Sequence, residues 1–182
     1  MKLKNGVFHS ILIVALTGCA HGPAVQNDLP NSLTAHINND ATGTMVMRGG
    51  NLYTFANEHC EAAEMKASKT SMNSQEALST ILLTPGKPLT FALTTLNAQG
   101  FKGNWGCSVT ATFTPENGKR YLAMLQTEGD NRTCRITLTD QDNRTIPTAM
   151  PEYSCVKTLA GTVKNGERHA STPYVPRVSV SR

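Results

Sequence analysis

The stretch that decides the fold is residues 105–127, WGCSVTATFTPENGKRYLAMLQT. Its first part alternates, because Val109, Ala111 and Phe113 would share one face of an extended strand. Residues 120–127 alternate in the same way. The Pro-Glu-Asn-Gly between them is typical of a tight turn, since Asn-Gly tolerates the positive φ angles that such turns need. The stretch therefore predicts two antiparallel strands joined as a hairpin.

The same alternation recurs on both sides of this stretch. Turn-forming pairs such as Pro85-Gly86 separate the segments at intervals of about 8–12 residues. Short strands that each bury one face indicate an all-β fold, an antiparallel β-sandwich of the transthyretin-like or immunoglobulin-like kind. The further predicted strands are 32–38, 44–48, 52–55, 80–84, 89–96, 134–139 and 153–163.

Three segments give weaker patterns. Gly49-Gly50 predicts a hairpin turn between two of the short strands. Residues 56–78 mix helix-favouring and turn-favouring types, which predicts an irregular loop with at most one short helix. The tail from Asn165 carries two prolines and few apolar residues, so we expect it to be loose, with an edge strand over 174–180 as the alternative.

Composition excludes several classes of protein. The 182 residues are 39% apolar and 16% charged, with a net charge of +4, which suits one domain with its own core. Lysines and arginines are scattered rather than clustered, so the basic stripe typical of a nucleic-acid binder is missing from the sequence. Every apolar run is shorter than the roughly 18 residues that a membrane-spanning helix needs.

The first residues read as a targeting segment. Lys2 and Lys4 precede a short apolar stretch, residues 6–16, whose length fits a secretory signal. The stretch ends in Leu16-Thr17-Gly18-Cys19. This run resembles the lipobox of bacterial lipoproteins, in which a Leu and two small residues precede the cysteine.

The resemblance implies a defined modification of Cys19. Its thiol would carry a diacylglyceryl group, the chain would be cut before it, and the new amine would receive a further acyl chain such as palmitate. Two or three chains anchor a protein stably, whereas one holds it weakly. Ala20 follows in place of the Asp that retains such lipoproteins at the inner membrane. We therefore expect the outer membrane, and favour its periplasmic face over the cell surface. An ordinary cleaved signal with a chance cysteine is the alternative.

The predicted organisation follows from these boundaries. Residues 1–18 are the signal peptide, 19–31 a lipidated tether, 32–164 the β-sandwich domain and 165–182 the loose tail. About twelve extended residues reach at most about 40 Å, so the tether would keep the domain near the membrane.

Four cysteines remain beyond Cys19. An even number in an exported chain predicts two structural disulfides, because the periplasm is oxidising. If 105–113, 120–127 and 134–139 form one sheet, Cys107 and Cys134 lie about 9–10 Å apart. A disulfide needs Cα atoms within about 7 Å, so this pair is disfavoured unless the third strand crosses to another sheet. The favoured pairing is Cys60–Cys107 with Cys134–Cys155, and Cys60–Cys134 with Cys107–Cys155 remains open.

A second resemblance covers about fifty residues, under a third of the chain. The segment from Pro85 to Cys134 is similar to a pattern in small uncharacterised bacterial lipoproteins. That resemblance implies a disulfide-containing β-sandwich and carries no activity. The matching residues are Pro85-Gly86-Lys87-Pro88, Cys107, Phe113-Thr114-Pro115, Asn117-Gly118-Lys119, Tyr121 and Cys134.

Catalytic and metal-binding signals are sparse. The sequence contains no H-E-x-x-H, G-x-S-x-G, P-loop or G-x-G-x-x-G motif. His59-Cys60 could form a Cys–His dyad only with a free thiol, and an oxidised Cys60 is the favoured state. His21, His36 and His169 lack the spacing of metal ligands. We therefore predict no catalytic residue, metal or cofactor.

Trp105 is the most informative aromatic residue. The favoured interpretation is a core Trp packed near a disulfide. The alternative is an exposed anchor on a Gly-rich loop, with Phe101 beside it, because Trp dominates interface hot spots. Phe101 and Trp105 are then the first candidates for contact with a partner protein.

Together these patterns predict a non-enzymatic envelope protein. It would be held to the membrane by acyl chains, would bind no nucleic acid, and would bind or support another envelope protein through loops or an unpaired strand edge. The alternative is an inhibitor of a lysozyme or protease, which would need one protruding loop.

Overall fold

Alternating one-face strands dominate the structure, as the sequence predicts. The computed structural model describes residues 28–42, 47–72, 76–98, 103–159 and 161–170, and within these ranges every regular element is a β-strand. The strands are β1 (Ser32–Asn38), β2 (Met47–Phe55), β3 (Glu64–Lys69), β4 (Glu76–Leu82), β5 (Leu89–Ala98), β6 (Asn104–Phe113), β7 (Arg120–Glu128), β8 (Thr133–Asp140), β9 (Tyr153–Thr158), β10 (Gly161–Lys164) and β11 (Arg168–Ala170).

Two sheets face each other across the core. The four-stranded sheet has the order β4-β1-β7-β8, and the five-stranded sheet has the order β11-β6-β5-β2-β3. All pairings are antiparallel except β1 with β7, which is parallel. The predicted all-β, sandwich-like fold is thus confirmed.

The core lies between the inner faces of the two sheets. Every second residue of β1, β5, β6, β7 and β8 points inward, because successive side chains of a strand point to opposite faces. Within this core, the ring of Phe113 contacts those of Phe91 and Tyr121 edge to face. Its fully or nearly fully buried members include Leu33, Ala35, Ile37, Leu52, Phe91, Leu93, Val109, Ala111, Phe113, Tyr121, Ala123, Leu125, Ile136 and Leu138.

The predicted hairpin across residues 105–127 is wrong. β6 belongs to the five-stranded sheet, whereas β7 pairs with β1 and β8 in the other sheet. The turn has a positive φ of +76° at Gly118 but none at Asn117, so it is not the tight Asn-Gly hairpin turn that the sequence predicted. Alternation shows only that each strand has one apolar face. Two such strands can pair side by side in one sheet, or they can lie in opposite sheets with their apolar faces in contact across the core.

The predicted turn at Gly49-Gly50 is also wrong. Both glycines lie inside β2, which pairs with β5 without interruption from Met47 to Phe55. A Cβ on Gly50 would lie 2.1 Å from the Ile37 Cδ1 atom of the opposite sheet. Glycine is needed here because the two sheets approach closely, which a single sequence does not reveal.

Residues 56–78 contain strands where a loop with a short helix was predicted. The described part forms β3 and the first residues of β4, with residues 73–75 outside the described ranges. Every residue of β3 is exposed or half-buried, so no apolar alternation marks it in the sequence.

A third layer covers the outer face of the five-stranded sheet. The β9–β10 hairpin contributes Cys155 and Val156, which pack against Tyr53, Phe55 and Ala92. Beyond it, β11 pairs with β6, so strand structure continues to Ala170, past the predicted boundary at residue 164. The alternative edge strand at 174–180 lies outside the described residues.

The disulfides join Cys60 to Cys155 and Cys107 to Cys134, with Cα–Cα distances of 5.2 Å and 6.1 Å. Two disulfides were predicted correctly, but both the favoured pairing and the one left open are wrong. The distance argument against Cys107–Cys134 assumed that β6, β7 and β8 share a sheet. Because β6 and β8 lie in opposite sheets, their inward-facing cysteines meet across the core.

Candidate binding groove

The residues at which the described chain begins lie at one end of the sandwich. The Asn31 carbonyl accepts a hydrogen bond from the Leu83 amide at 2.7 Å, and the Asn31 side chain accepts one from the Gly118 amide at 2.6 Å. Arg120 pairs with Asp28 at 3.1 Å. We call this the tether end, since the predicted lipidated segment would join the domain here.

A groove opens at the tether end between two unpaired strand edges. β3 pairs only with β2, and β4 pairs only with β1, so within the described ranges their other edges have no strand beside them. The space between these edges has a volume of about 480 Å³, within the usual range for ligand sites. We call it the edge groove. It is lined by Thr54, Phe55, Ala56, Lys66, Ile81, Leu82, Leu83, Thr84, Lys87, Pro88, Leu89 and Pro115.

The walls of the edge groove are mostly apolar, and two lysine side chains add positive charge. Leu82 is 73% exposed, although it lies in a regular strand. Lys66 pairs with Glu64 at 2.5 Å, while Lys87 has no ion pair with any residue that the structure describes. Neither Asp nor Glu is among the lining residues given above, so Lys87 gives the groove a positive charge that no lining residue neutralises.

The backbone of β4 offers free hydrogen-bonding groups to this groove. The Leu83 amide, one residue past β4, bonds to the Asn31 carbonyl, one residue before β1, so in the register of this pair the odd-numbered residues at this end of β4 turn their backbone groups toward β1. Because antiparallel pairing alternates, Thr80 and Leu82 turn theirs toward the open edge. At the other end of β4, the Lys69 ammonium donates to the Ala77 carbonyl at 2.7 Å, which occupies that part of the edge.

A disulfide-pinned loop lies beside the groove. A smaller cavity of about 310 Å³ shares Ala56, Lys87 and Pro88 with the edge groove and is also lined by Asn57, Glu58 and His59. The Asn57 side-chain oxygen accepts a hydrogen bond from the His59 amide at 3.0 Å, which closes the loop on itself. Cys60 has a φ of +66°, a left-handed conformation that the bond to Cys155 helps to hold.

The sequence did not reveal the groove. Its nearest signal is the run Ile81-Leu82-Leu83, because three consecutive apolar residues at a strand end force one of them onto the outer face. Leu82 is that residue. The pairing of β4 with β1, which leaves the β4 edge open, depends on contacts between distant segments and cannot be read from local pattern.

The two candidate partner contacts have different outcomes. Trp105 is only 4% exposed, and the Arg168 guanidinium lies 4.6 Å from the centre of its ring. Its position corresponds to the core interpretation, so the exposed-anchor alternative is wrong for this residue. Phe101 lies outside the described residues, as do Cys19 and His21.

Nucleophile–base pairs in the described ranges do not form an accessible site. Cys60 is bonded to Cys155, so it has no thiol to pair with His59. The distance between Ser108 Oγ and His169 Nε2 is 2.9 Å, but Ser108 is fully buried. Neither this pair nor the nearby buried hydroxyl of Thr110 lines either of the two cavities described above. The described residues include no group of three or more His, Cys, Asp or Glu placed to bind a metal ion.

Acidic residues at the two ends of the sandwich serve local structure. At the far end, Asp40 accepts hydrogen bonds from the Thr127 hydroxyl at 2.6 Å and the Asn131 amide at 2.8 Å, which ties two loops together. At the tether end, Arg144 donates to Asp140 through Nε at 3.0 Å and Nη2 at 2.8 Å. These carboxylates are already engaged, so neither cluster resembles a substrate site.

No protein-family model matches the chain, and neither a curated protein nor a solved structure matches it. A helix long and apolar enough to cross a membrane does not occur in the described part of the chain.

Proposed function

We propose that this protein is a lipid-anchored component of the bacterial envelope that acts by binding another envelope protein rather than by catalysis. The lipobox-like Leu16-Thr17-Gly18-Cys19 supports the anchor. The two disulfides suit an oxidising compartment. We place the protein at the outer membrane, on its periplasmic face.

The edge groove is the observation that carries the binding role. It combines an apolar wall, unpaired strand edges and a neighbouring pinned loop at the end where Asp28 and Asn31 join the domain. An anchor at Cys19 would confine this end near the membrane surface. A tether of this length raises the local concentration of the domain around neighbouring membrane proteins, which strengthens a weak contact.

The proposal is tested by chemical crosslinking and affinity capture from intact envelopes, with the wild type and a Cys19→Ala variant. We expect the variant to capture its partner at least about tenfold less, because it loses the effective concentration that the tether supplies. Equal capture by both proteins, at equal abundance and with both disulfides formed, would contradict a role for the anchor.

An inhibitor of a lysozyme or protease is the second candidate. The loop Asn57–Glu61 favours it, because Glu58 and His59 project with side-chain exposures of 73% and 76% from a disulfide-pinned turn. A rigid protruding loop binds with little loss of conformational entropy. If the captured protein is such an enzyme and the purified chain inhibits it, the second candidate replaces the first.

A further inference from the structure

We propose that the edge groove binds an extended peptide segment of a partner protein, which adds a strand to the free edge of β4 and places an acidic side chain near Lys87. This inference rests on the proposed binding function and specifies its site and the chemistry of the partner. It concerns the described residues alone, so it can fail while the lipid anchor stands.

The free edge of β4 has unused hydrogen-bonding capacity. Thr80 and Leu82 turn their amide and carbonyl groups away from β1, and no strand of the described ranges pairs with them. Such a row of groups is a template for another strand. An added peptide of about four or five residues would satisfy them, with main-chain bonds giving affinity and alternate side chains giving specificity.

The β4 edge is a better template for an added strand than the β3 edge. The β3 edge carries Glu64, Lys66 and Lys69 in six residues, whereas both strands contain a bulge, β3 opposite Leu52 and Tyr53 and β4 opposite Ala35 and His36. Charges and bulges are the usual protection of an edge against pairing. The tether-end half of β4, residues 79–82, lies beyond its bulge, contains no charge and ends in exposed Leu82.

The edge groove lies directly beside the β4 edge. An added strand would point every second side chain into the space lined by Leu83, Leu89 and Pro115. Lys87 stands at the same space, and its charge is not used by an ion pair with a described residue, so a peptide carrying Asp or Glu among apolar residues fits it best. A bilayer fits worse, because lipid headgroups do not supply the regular row of amide and carbonyl groups that the β4 edge would pair with.

A random 12-residue peptide library displayed on phage, selected against the full-length protein, tests the inference. We expect enriched peptides that alternate apolar residues and contain Asp or Glu. The affinity of the best peptide should fall at least about tenfold with Leu82→Asp, which removes an apolar contact, and also with Lys87→Glu. Leu159→Asp is the matched control, since Leu159 is 86% exposed and lies beyond β9, away from the groove.

Hydrogen exchange identifies the bound strand directly. The bound peptide should slow exchange of the Thr80 and Leu82 amides and leave those of β3 unchanged. Failure to enrich any peptide, or enriched peptides that bind Leu82→Asp and Lys87→Glu as tightly as the wild type, would overturn the inference. So would a Leu82-dependent dimer, or Leu82-dependent binding to vesicles of phosphatidylethanolamine and phosphatidylglycerol without peptide binding.

Discussion

Replacing Cys107 and Cys134 together by Ala is expected to lower the free energy of unfolding by about 4 kcal/mol. The bond closes a loop of 27 residues, which in the chain-entropy model contributes about 3.5 kcal/mol. Cys107 is fully buried and Cys134 nearly so, and both belong to the core. Loss of two buried sulfur atoms therefore adds a smaller packing cost.

Urea unfolding of the double variant and of the oxidised wild type measures this difference. Met47→Ala is the surface control, since Met47 is exposed, and it should stay within about 0.5 kcal/mol of the wild type. Reduced wild-type protein should lose at least as much stability as the double variant, because both bonds are then open. A double variant as stable as the oxidised wild type would contradict a bond between the two sheets.

The second large effect is expected at Asp140, whose side chain is 4% exposed. Burial by itself raises the pKa of this carboxyl. Hydrogen bonds from the Arg144 side chain and from the Arg144 and Asp142 amides outweigh that effect and bring the pKa below its ordinary value. Hydrogen bonds to a buried charge contribute about 1.5–3 kcal/mol, so Asp140→Asn should lower stability at pH 7 by about 2 kcal/mol.

The pH dependence of this loss has a definite direction. Because the folded pKa of Asp140 lies below its unfolded value, the carboxylate stabilises the fold fully above the unfolded pKa, near 3.8. That contribution is lost as the pH falls through the folded pKa, and the variant and the wild type should then converge. Urea unfolding between pH 2 and pH 7 checks this, with Asp142→Asn as control because its carboxylate is more than half exposed. A gap that stays constant to pH 2 would contradict the assigned charge.

Local patterns predicted the strands well and their partners poorly. β1 lies at the predicted residues, and β5 to β8 lie within two or three residues of theirs, because each buries alternate side chains. The assignment of β6 and β7 to opposite sheets depends on the parallel pairing of β7 with β1. That pairing joins segments about ninety residues apart, and no local pattern encodes it.

The same limit explains the errors in the cysteines and glycines. The pairing of Cys107 with Cys134 can be inferred only when it is known that β6 and β8 lie in opposite sheets and face each other. Gly50 resembles a turn residue in the sequence, but it provides room for Ile37. Both features depend on how the two sheets pack against each other, which is determined by contacts between residues that are far apart in the sequence.

The candidate site was the least predictable part. The sequence directed attention to Trp105, an aromatic residue among glycines, and the structure buries it beneath Arg168. Leu82 and Lys87 drew no attention, because an apolar run and a turn lysine are common. Their significance comes from the open edge of β4 and from the groove between it and β3.

The mass of the mature protein, purified from bacterial envelopes without reductant, shows at once whether the chain is lipid-anchored and oxidised. We expect a chain that begins at Cys19, carries a diacylglyceryl group and a further acyl chain, and contains two disulfides. An uncut chain beginning at Met1 with an unmodified Cys19 and free thiols would contradict this expectation.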